Sequence, residues 1–483
     1  MNPPQGFHDY FPEEEGPRQA MFTVLRSISS AHGFVPWSGP AVEHQRVMEA
    51  AQLHHMLHIR SPSSSLSGDG DEHGGSGPVN GDMVGVGERE ARKGGKRRPD
   101  TVLRPEHTTS LVRLLRQRQN GAGYLRLPLP VQWFTIGPCW RQERTGKGRL
   151  KEHTQWNLDV IGDATVNAET VVMSTLFAAL HRLGLSPRHL RIHVSSLSMM
   201  RAIFACLGVT DPETQTAIFG VLDSRYKIGW PGTLCALRTL VDTEEQVGFV
   251  SKLCSPSPVL TTGLLEIASR SDSPSLVSEA AAQIRKFQLL YTCLKSIPTY
   301  GRCIVFDPTI ARGLHYYTGF VFEGFGISPP SSTMELGVGS STRTKHMAHA
   351  LFGGGRYDHS FEKVGSPVPI PAIGVGVGDV RLLAFLREHG LFKHAPLVPD
   401  CCVTVEEEQH VPLSTQVAGT LRVLDRLCVT RCAPFKRVAS QMAKLGVHLL
   451  LVPLSPTSVS AWRLWRGKYT KWKEHVELDS LFA

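Results

Sequence analysis

Residues 137–159 read GPCWRQERTGKGRLKEHTQWNLD, and this stretch decides the fold. On its two sides, Val131 to Ile136 and Gln155 to Ile161 have the β-branched and aromatic composition of strands. Between them, Thr145 to Lys151 is polar, basic and contains glycine. The pattern predicts an antiparallel hairpin with a long basic tip.

The returning strand of this hairpin carries polar side chains. Gln155 and Asp159 are four residues apart, so in a strand they project from the same face. That face is either a wall of a pocket or a solvated sheet surface.

Apolar periodicity divides the rest of the chain into segments. Residues 1–60 contain a helical and an extended pattern, and residues 100–195 alternate strand-like and helix-like patterns. Between them, residues 61–99 are rich in Ser, Gly, Asp and Lys with hardly any aromatic residue. Because such a composition cannot bury enough surface to offset the entropy of ordering, we predict a disordered low-complexity insertion there.

The second half of the chain shows three further patterns. Residues 196–300 have helical spacing and predict a helical insertion, whereas strand patterns return in 301–390 and complete an antiparallel sheet. Residues 398–483 alternate strands and helices, as in a small α/β domain with parallel strands. The predicted class is therefore α/β with an α+β core, an antiparallel sheet flanked by helices.

The composition of the chain limits the classes of function that it can have. The chain has 483 residues, a net charge of +9 and a pI of about 9.1, which favour an anionic partner such as RNA. Its ten cysteines form no CxxC pair, so neither a zinc ribbon nor a redox motif is predicted, and a reducing compartment fits. No apolar stretch approaches the length of a membrane span and no signal pattern opens the chain. We predict a cytoplasmic protein without a membrane partner; an organellar location, such as mitochondrial, stays open.

Three more motifs accompany the hairpin: LRPEHT at Leu103 to Thr108, RGLHYYTGFVFE at Arg312 to Glu323 and GGGRYD at Gly353 to Asp358. This combination resembles the histidyl-tRNA synthetase family of class II aminoacyl-tRNA synthetases. The resemblance implies a class II antiparallel sheet, a helical insertion and a C-terminal domain like the family's anticodon-binding one. It also implies a histidine--tRNA ligase that forms histidyl-adenylate from L-histidine and ATP with Mg²⁺, then transfers histidine to the 3′ end of histidine tRNA. Pro40 matches the family's dimer-forming motif, so a homodimer is implied as well.

The resemblance also assigns roles to individual residues. Arg141 and Arg312 are implied as catalytic cations at the α-phosphate, where planar guanidinium groups suit the charge that develops. The residues implied to bind ATP are Arg141, Glu143, Arg149 and Arg381. The residues implied to bind histidine are Glu106, Thr108, Gln155, Asp159, Tyr317 and Tyr357. A site that hydrogen-bonds the imidazole rejects other amino acids because they leave its polar groups unpaired.

Two segments have competing interpretations. AIGVGVGDVRLL at Ala372 to Leu383 resembles a Gly-rich dinucleotide loop, but no strand, helix and distant acid frame it, so we assign it to the family's arginine segment. The C-terminal tail carries Trp462, Trp465, Lys468, Lys471, Trp472 and Lys473, which interleave aromatics and bases as RNA-stacking surfaces do. A packed terminal helix would fit that tail equally well.

Some positions depart from the family pattern. His315 replaces an aspartate, Asp159 a longer glutamate and Val380 an acid, and the low-complexity insertion replaces the strand that precedes LRPE. These changes motivate an alternative function, a catalytically inactive paralogue that senses histidine or tRNA as a regulatory subunit. A third hypothesis, a general RNA-binding structural protein, explains the charge but leaves the pocket motifs unused.

Overall fold

The computed structural model describes residues 2–50, 56–59, 101–142, 150–253, 261–310, 316–327, 347–392, 399–423, 426 and 428–481. The predicted insertion at 61–99 lies outside these residues, as do Glu143, Arg149, Arg312 and His315. The chain divides into two compact units, one of Met1–Asp9 and Ala20–Phe392, the other of Tyr10–Gln19 and Lys393–Ala483.

The secondary structure mixes helices and strands along the whole described chain. The strands are β1 (Val35–Pro36), β2 (Val42–His44), β3 (Leu57–Ile59), β4 (Thr101–Leu103), β5 (Val131–Trp140), β6 (Glu152–Ile161), β7 (Leu190–Ser196), β8 (Ile304–Phe306), β9 (Phe320–Ile327), β10 (Met347–Arg356), β11 (Ala372–Gly378), β12 (Cys401–Val405), β13 (Cys428–Cys432), β14 (Leu449–Pro453), β15 (Ser458–Trp465) and β16 (Lys468–Glu477). The helices are α1 (Pro12–Ala31), α2 (Gln45–Ala50), α3 (Thr108–Arg116), α4 (Val166–Arg182), α5 (Leu197–Cys206), α6 (Pro212–Arg238), α7 (Glu244–Leu253), α8 (Thr261–Ala268), α9 (Pro274–Ser296), α10 (Ser360–Lys363), α11 (Asp379–Glu388), α12 (Val411–Val423) and α13 (Phe435–Leu445). Among the helices that the structure describes, none is long and apolar enough to cross a membrane.

An eight-stranded sheet in the order β1-β5-β6-β11-β10-β9-β7-β8 organises the first unit. Its centre is antiparallel: β6 pairs with β5 on one side and with β11 on the other. The hairpin predicted around residues 137–159 is confirmed, and its first strand runs on to Trp140. The predicted fold class, a large sheet flanked by helices, is also confirmed.

The two faces of β6 are both buried but differ in chemistry. Trp156 and Leu158 are at most 1% exposed and join the main apolar core of the unit. The indole Nε1 of Trp156 donates to Ser29 Oγ on α1 at 3.0 Å. Gln155, Asn157 and Asp159 alternate with these residues, so the opposite face of the strand is polar.

A smaller sheet in the order β2-β4-β3 precedes α3. Strand β4 leads directly into the LRPEHT segment and pairs antiparallel with both neighbours. The expectation that the insertion replaces the strand before LRPE is therefore wrong in part. Short strands remain on both sides of the insertion, β3 before it and β4 after it. Leu57 on β3 is paired with Leu103 on β4 in the register of these two strands.

The segment predicted as a helical insertion contains α5, α6, α7, α8 and α9, which follow β7 in the chain and precede β8. Buried apolar side chains such as Ile203, Leu222 and Ile284 join these helices to the main core. Helix α6 is kinked at Gly229, where φ is +70°, a conformation that favours glycine.

The second unit contains a five-stranded sheet in the order β13-β12-β14-β15-β16. Strand β12 is parallel to both β13 and β14, which confirms the predicted α/β domain with parallel strands. Helix α13 ends at Gly446, whose left-handed φ of +76° terminates it. The C-terminal tail forms the antiparallel β15–β16 hairpin, so the alternative of a packed terminal helix is wrong.

Candidate active site

A cavity of about 280 Å³ lies over the polar face of β6 in the first unit. Four strands and two helix ends contribute side chains to it. Seven of the predicted site residues line it: Glu106, Thr108, Arg141, Gln155, Tyr317, Tyr357 and Arg381. These residues are spread over more than 270 positions of sequence, so the fold has collected them in one place.

The floor of the cavity is a glycine-rich strand. A Cβ atom at Gly374 would lie 2.2 Å from Asp159 Oδ1, and one at Gly376 would lie 2.5 Å from Gln155 Nε2. Side chains of β6 therefore lean across β11, and only glycine leaves them room. The Gly-Val-Gly-Val pattern belongs to a strand between β6 and β10, so the dinucleotide-loop interpretation is wrong.

Asp159 is not among the residues that line the cavity; it lies directly behind Gly374 and Tyr357, which do line it. Its carboxylate is fully buried, and Oδ1 accepts a hydrogen bond from the Tyr357 hydroxyl at 2.7 Å. Burial raises the pKa of Asp159 to about 7, against the opposing effect of that hydrogen bond. Its Oδ2 is buried without a hydrogen-bond partner among the described residues. Because a buried acceptor is normally paired, Oδ2 is a candidate contact for a ligand donor.

Glu106 has more partners than its predicted role requires. Its carboxylate accepts from the backbone N–H of Thr108 at 3.0 Å and of Thr109 at 2.7 Å, from the Thr109 hydroxyl, and from Tyr316 at 3.3 Å. It thus caps the first turn of α3. A ligand amino group at Glu106 would share an oxygen with one of these donors, of which the Tyr316 hydroxyl is the farthest.

The other end of the cavity is cationic. Arg141 Nε donates to Pro105 O at 2.9 Å, and Arg381 Nη1 donates to Ala350 O at 3.1 Å. These contacts with backbone carbonyls orient both guanidinium groups along the cavity wall. Burial, together with the charges of Arg141 and Arg381, lowers the pKa of His153 to about 4, so this imidazole is neutral at pH 7. The arrangement suits a polyanion.

Four residues near the site had no role assigned from sequence. Asn157 accepts from Gln155 Nε2 at 2.6 Å and lines the cavity, as do His153 and Glu323. Asn157 could have been found, since strand alternation places it on the same face as Gln155. Asp379 is the acid one position before Val380; its Oδ1 accepts from Thr154 N at 2.9 Å, so it ties α11 to β6.

The GGGRYD motif divides between two environments. Tyr357 lines the cavity, whereas Arg356 is 3% exposed and its guanidinium pairs with Glu169 through contacts of 2.7 and 2.8 Å. Arg356 is therefore a structural arginine that holds β10 to α4. Arg312, Glu143 and Arg149, which the sequence predicted as site residues, lie outside the described residues.

Comparison with known proteins agrees with this geometry. Residues 100–379 match the family model described as Histidyl-tRNA synthetase, and these residues include the cavity floor and most of its walls. The chain belongs to the histidyl-tRNA synthetase family. Among the described residues, no group of three or more His, Cys, Asp or Glu is arranged to hold a metal ion.

Individual members of the histidyl-tRNA synthetase family are distant in sequence. The chain is 27% identical to "Histidine--tRNA ligase, chloroplastic/mitochondrial" of Arabidopsis thaliana, over 94% of this chain and 80% of that protein. It is also 27% identical to "Histidine--tRNA ligase" of Leptospira biflexa, over 80% of this chain and 74% of that one.

Solved structures in the family share the fold. Histidyl-tRNA synthetase from Nostoc sp. matches with a TM-score of 0.70 at 16% identity, over 99% of this chain and 97% of that one. An "ATP phosphoribosyltransferase regulatory subunit/histidyl-tRNA synthetase" from Bacillus halodurans matches with a TM-score of 0.63 at 18% identity, over 91% and 96%.

Proposed function

We propose that this protein is a histidine--tRNA ligase, which activates L-histidine with ATP and transfers it to the 3′ end of histidine tRNA. The observation that carries the proposal is the polarity around one cavity. Behind its wall, Asp159 has a buried carboxylate oxygen with no partner among the described residues, and two anchored arginines line the cavity elsewhere. Histidine carries a ring N–H donor, and ATP carries the polyanion.

At the buried end, the imidazole of histidine would donate its ring N–H to Asp159 Oδ2. Tyr357 holds the other carboxylate oxygen at 2.7 Å and so fixes the acceptor in place. Gln155, Thr108 and Glu106 supply acceptors for the α-amino group, with Tyr317 beside the ring. An amino acid without a ring donor would leave Oδ2 buried and unpaired, which is the basis for selecting histidine.

At the cationic end, Arg141 and Arg381 would hold the triphosphate so that the α-phosphorus faces the histidine carboxylate. A carboxylate oxygen forms a bond to the α-phosphorus, the bond to the β-phosphate oxygen breaks, and pyrophosphate leaves. The guanidinium groups stabilise charge that develops on the phosphate oxygens. By resemblance, Arg312, Glu143 and Arg149 would join this group. His153 is neutral and adds no charge.

The proposal includes Mg²⁺ because the triphosphate of ATP would bind it. It commonly binds through one or two carboxylates and substrate phosphates, and Glu323 is the cavity-lining acid with capacity for it, since Glu106 caps α3. Mg²⁺ would supply charge neutralisation at the phosphates.

We also propose a homodimer formed around Pro40. The guanidinium of Arg104 donates to Gly39 O at 2.8 Å and to Pro138 O at 2.9 Å, so this segment is tied to strand β5, which ends just before Arg141. Val35 and Val42 beside it are 55% and 39% exposed, apolar surface that a second copy would cover. Sedimentation of the purified protein tests this: a monomer at micromolar concentration contradicts it.

The decisive experiment is histidine-dependent exchange of labelled pyrophosphate into ATP. We expect exchange with histidine but not with other amino acids, and a loss of about 10²- to 10³-fold in Arg141→Ala and in Arg381→Ala. Arg285→Ala, which removes an exposed cation of α9, is the matched control and should leave the rate unchanged. Absence of exchange in folded protein that still binds histidine would instead support the regulatory paralogue.

A further inference from the structure

Asn157 lies in the middle of the polar face of β6 and has no role in the proposed chemistry. Its side chain is 2% exposed and lines the cavity, between Gln155 and Asp159 on the same face of the strand. A buried side-chain amide has an oxygen that accepts and a nitrogen that donates, and both ends are normally paired. The partners of Asn157 therefore determine which way its amide points.

Two neighbours in the cavity wall supply those partners. Asn157 Oδ1 accepts a hydrogen bond from Gln155 Nε2 at 2.6 Å, and Asn157 Nδ2 donates to Thr108 Oγ1 over a longer distance of 3.4 Å. All three side chains are at most 8% exposed. Asn157 thus connects the polar face of β6 with the first residue of α3.

The contact with Asn157 uses the nitrogen end of the Gln155 amide and leaves its oxygen, Oε1, on the other side. The pKa of His153 is lowered chiefly by burial, and a hydrogen bond with the Gln155 side chain opposes that shift. Such a bond favours the protonated ring, so the ring N–H donates to the amide oxygen. Because a carbonyl oxygen has two lone pairs, Oε1 can accept a second hydrogen bond from a ligand.

Packing against β11 restricts the same pair of side chains. A Cβ atom at Gly376 would lie 2.5 Å from Gln155 Nε2 and 3.7 Å from Asn157 Oδ1. The Gln155–Asn157 pair therefore rests directly on the backbone of β11. This backbone lies on one side of the Gln155 amide and Asn157 on another, so the amide has little freedom to turn.

The orientation of Gln155 matters because an ammonium group can only donate hydrogen bonds. It is attracted by the amide oxygen of Gln155 and repelled by the amide nitrogen. These two ends have nearly the same size, so the shape of the cavity does not select between them. The selection comes from hydrogen-bond partners, and Asn157 is the partner of the nitrogen.

We infer that Asn157 is a positioning residue for the α-amino group of the amino-acid substrate, because it holds Gln155 Nε2 and so turns Gln155 Oε1 towards the ammonium. The inference rests on the proposed function, which places the α-amino group beside Gln155 and Thr108. It adds a residue that selects ligands with an ammonium group and touches none of the reacting atoms.

The test compares two analogues of histidine that compete with labelled L-histidine for the full-length protein in equilibrium dialysis. Histidinol keeps the imidazole and the ammonium but has no carboxylate, whereas imidazolepropionate keeps the imidazole and the carboxylate but has no ammonium. Asn157→Leu has a similar volume and neither donor nor acceptor. We expect it to raise the Kd of histidinol about 10-fold, as when a hydrogen bond to a charged group is lost. The Kd of imidazolepropionate should change less than about 2-fold. Equal rises for both analogues, or no rise for histidinol, overturn the inference.

Substitution of Gln155 gives a second test, because a carboxylate presents an oxygen in either orientation. When Gln155→Glu is already present, Asn157→Leu should change the Kd of histidinol by less than about 2-fold. A purely structural role of Asn157 would weaken histidinol binding equally with and without Gln155→Glu, and that result overturns the inference. Asn167→Leu, at an exposed asparagine of α4, is the matched control and should leave both Kd values unchanged.

A conservative variant keeps the inference testable if Asn157→Leu does not fold. Asn157→Asp retains an acceptor for Gln155 Nε2, so it should bind histidinol at least as tightly as the unmodified protein. Weaker binding of histidinol by folded Asn157→Asp overturns the inference.

Binding and exchange assays separate this inference from the proposed function, because competition for histidine needs neither ATP nor catalysis. A protein that shows the expected difference between the analogues but lacks pyrophosphate exchange would contradict the proposed function only. A protein that exchanges normally, in which Asn157→Leu raises both Kd values equally, would contradict the inference only. Failure of the unmodified protein to bind histidine would contradict both.

Discussion

The two faces of strand β6 are equally buried, yet one supports the fold and the other forms the candidate site. Trp156 and Leu158 pack into the apolar core, and the single polar atom of Trp156 is satisfied by Ser29. On the other face, Asp159 keeps one buried oxygen without a partner among the described residues. One face of a strand can therefore stabilise the fold while the other face lowers the stability by leaving a buried polar group unpaired. Such a group is expected where a ligand supplies the missing hydrogen bond.

The largest effect should come from the core face. Trp156→Ala removes a side chain that is 1% exposed, so the free energy of unfolding should fall by about 3–5 kcal/mol. Urea unfolding followed by near-UV circular dichroism measures this. Trp230→Ala, at a partly exposed position, should cost far less; equal losses would mean that β6 is not the centre of the core.

A substitution in the floor of the cavity should have a smaller effect, and this effect should be on histidine binding. Gly374→Ala would place a methyl group 2.2 Å from Asp159 Oδ1 and displace that carboxylate. We expect the KM for histidine in pyrophosphate exchange to rise by about 10²-fold, equivalent to about 2.7 kcal/mol. Gly220→Ala, where a Cβ meets nothing within 4 Å, is the control. An unchanged KM in Gly374→Ala would remove Asp159 from the histidine site.

The dependence of stability on pH provides a third test, because it depends on the charge of Asp159. Its pKa is raised from 3.8 to about 7 in the folded protein, so the folded state holds a proton that the unfolded state has lost between about pH 4 and 7. Stability from this group is therefore full below about pH 4 and is lost as pH rises towards 7. His107 and His153, with pKa values lowered to about 3 and 4, act in the opposite direction, so stability from them grows as pH rises towards 6.5.

The Asp159→Asn variant separates these contributions. We expect the difference in melting temperature between this variant and the unmodified protein to change steadily from pH 4 to 7, with the variant gaining relative stability at higher pH. Histidine KM should also rise in the variant, by about 10-fold, because a charged acceptor is lost. A difference that is independent of pH would show that the Asp159 pKa is not raised.

The smallest effect on catalysis should come from removing one hydrogen bond on the core face. Ser29→Ala leaves the buried Trp156 Nε1 without its acceptor, which should lower the free energy of unfolding by about 1–3 kcal/mol. The values of kcat and KM for histidine should stay the same at a temperature where the variant is folded. A change in KM larger than about 3-fold would mean that the two faces of β6 are coupled.

Local sequence patterns predicted much of the fold. The β5–β6 hairpin, the parallel strands of the second unit and the helices after β7 follow from periodicity and turn residues, which act over a few positions. The terminal hairpin was ambiguous, because Trp and Lys at short spacing fit a helix as well as a strand. Its identity was decided by pairing with β14, which is a non-local contact.

The site was predictable only as a set of motifs. Resemblance named Gln155, Tyr357 and Arg381, but it did not separate Arg356, which is used in an ion pair with Glu169, from its neighbour Tyr357. It also left Asn157 and Glu323 without roles, since neither departs from an ordinary strand pattern.

By itself, the sequence determined which residue types were available and the alternation that put Gln155, Asn157 and Asp159 on one face, because side-chain direction in a strand has a period of two. Only the tertiary structure decided which of these groups stay unsatisfied. Glu106 is occupied by the first turn of α3, whereas Asp159 keeps one oxygen without a partner among the residues that the structure describes. Hydrogen-bond partners are supplied by segments distant in sequence, and their number depends on how those segments pack.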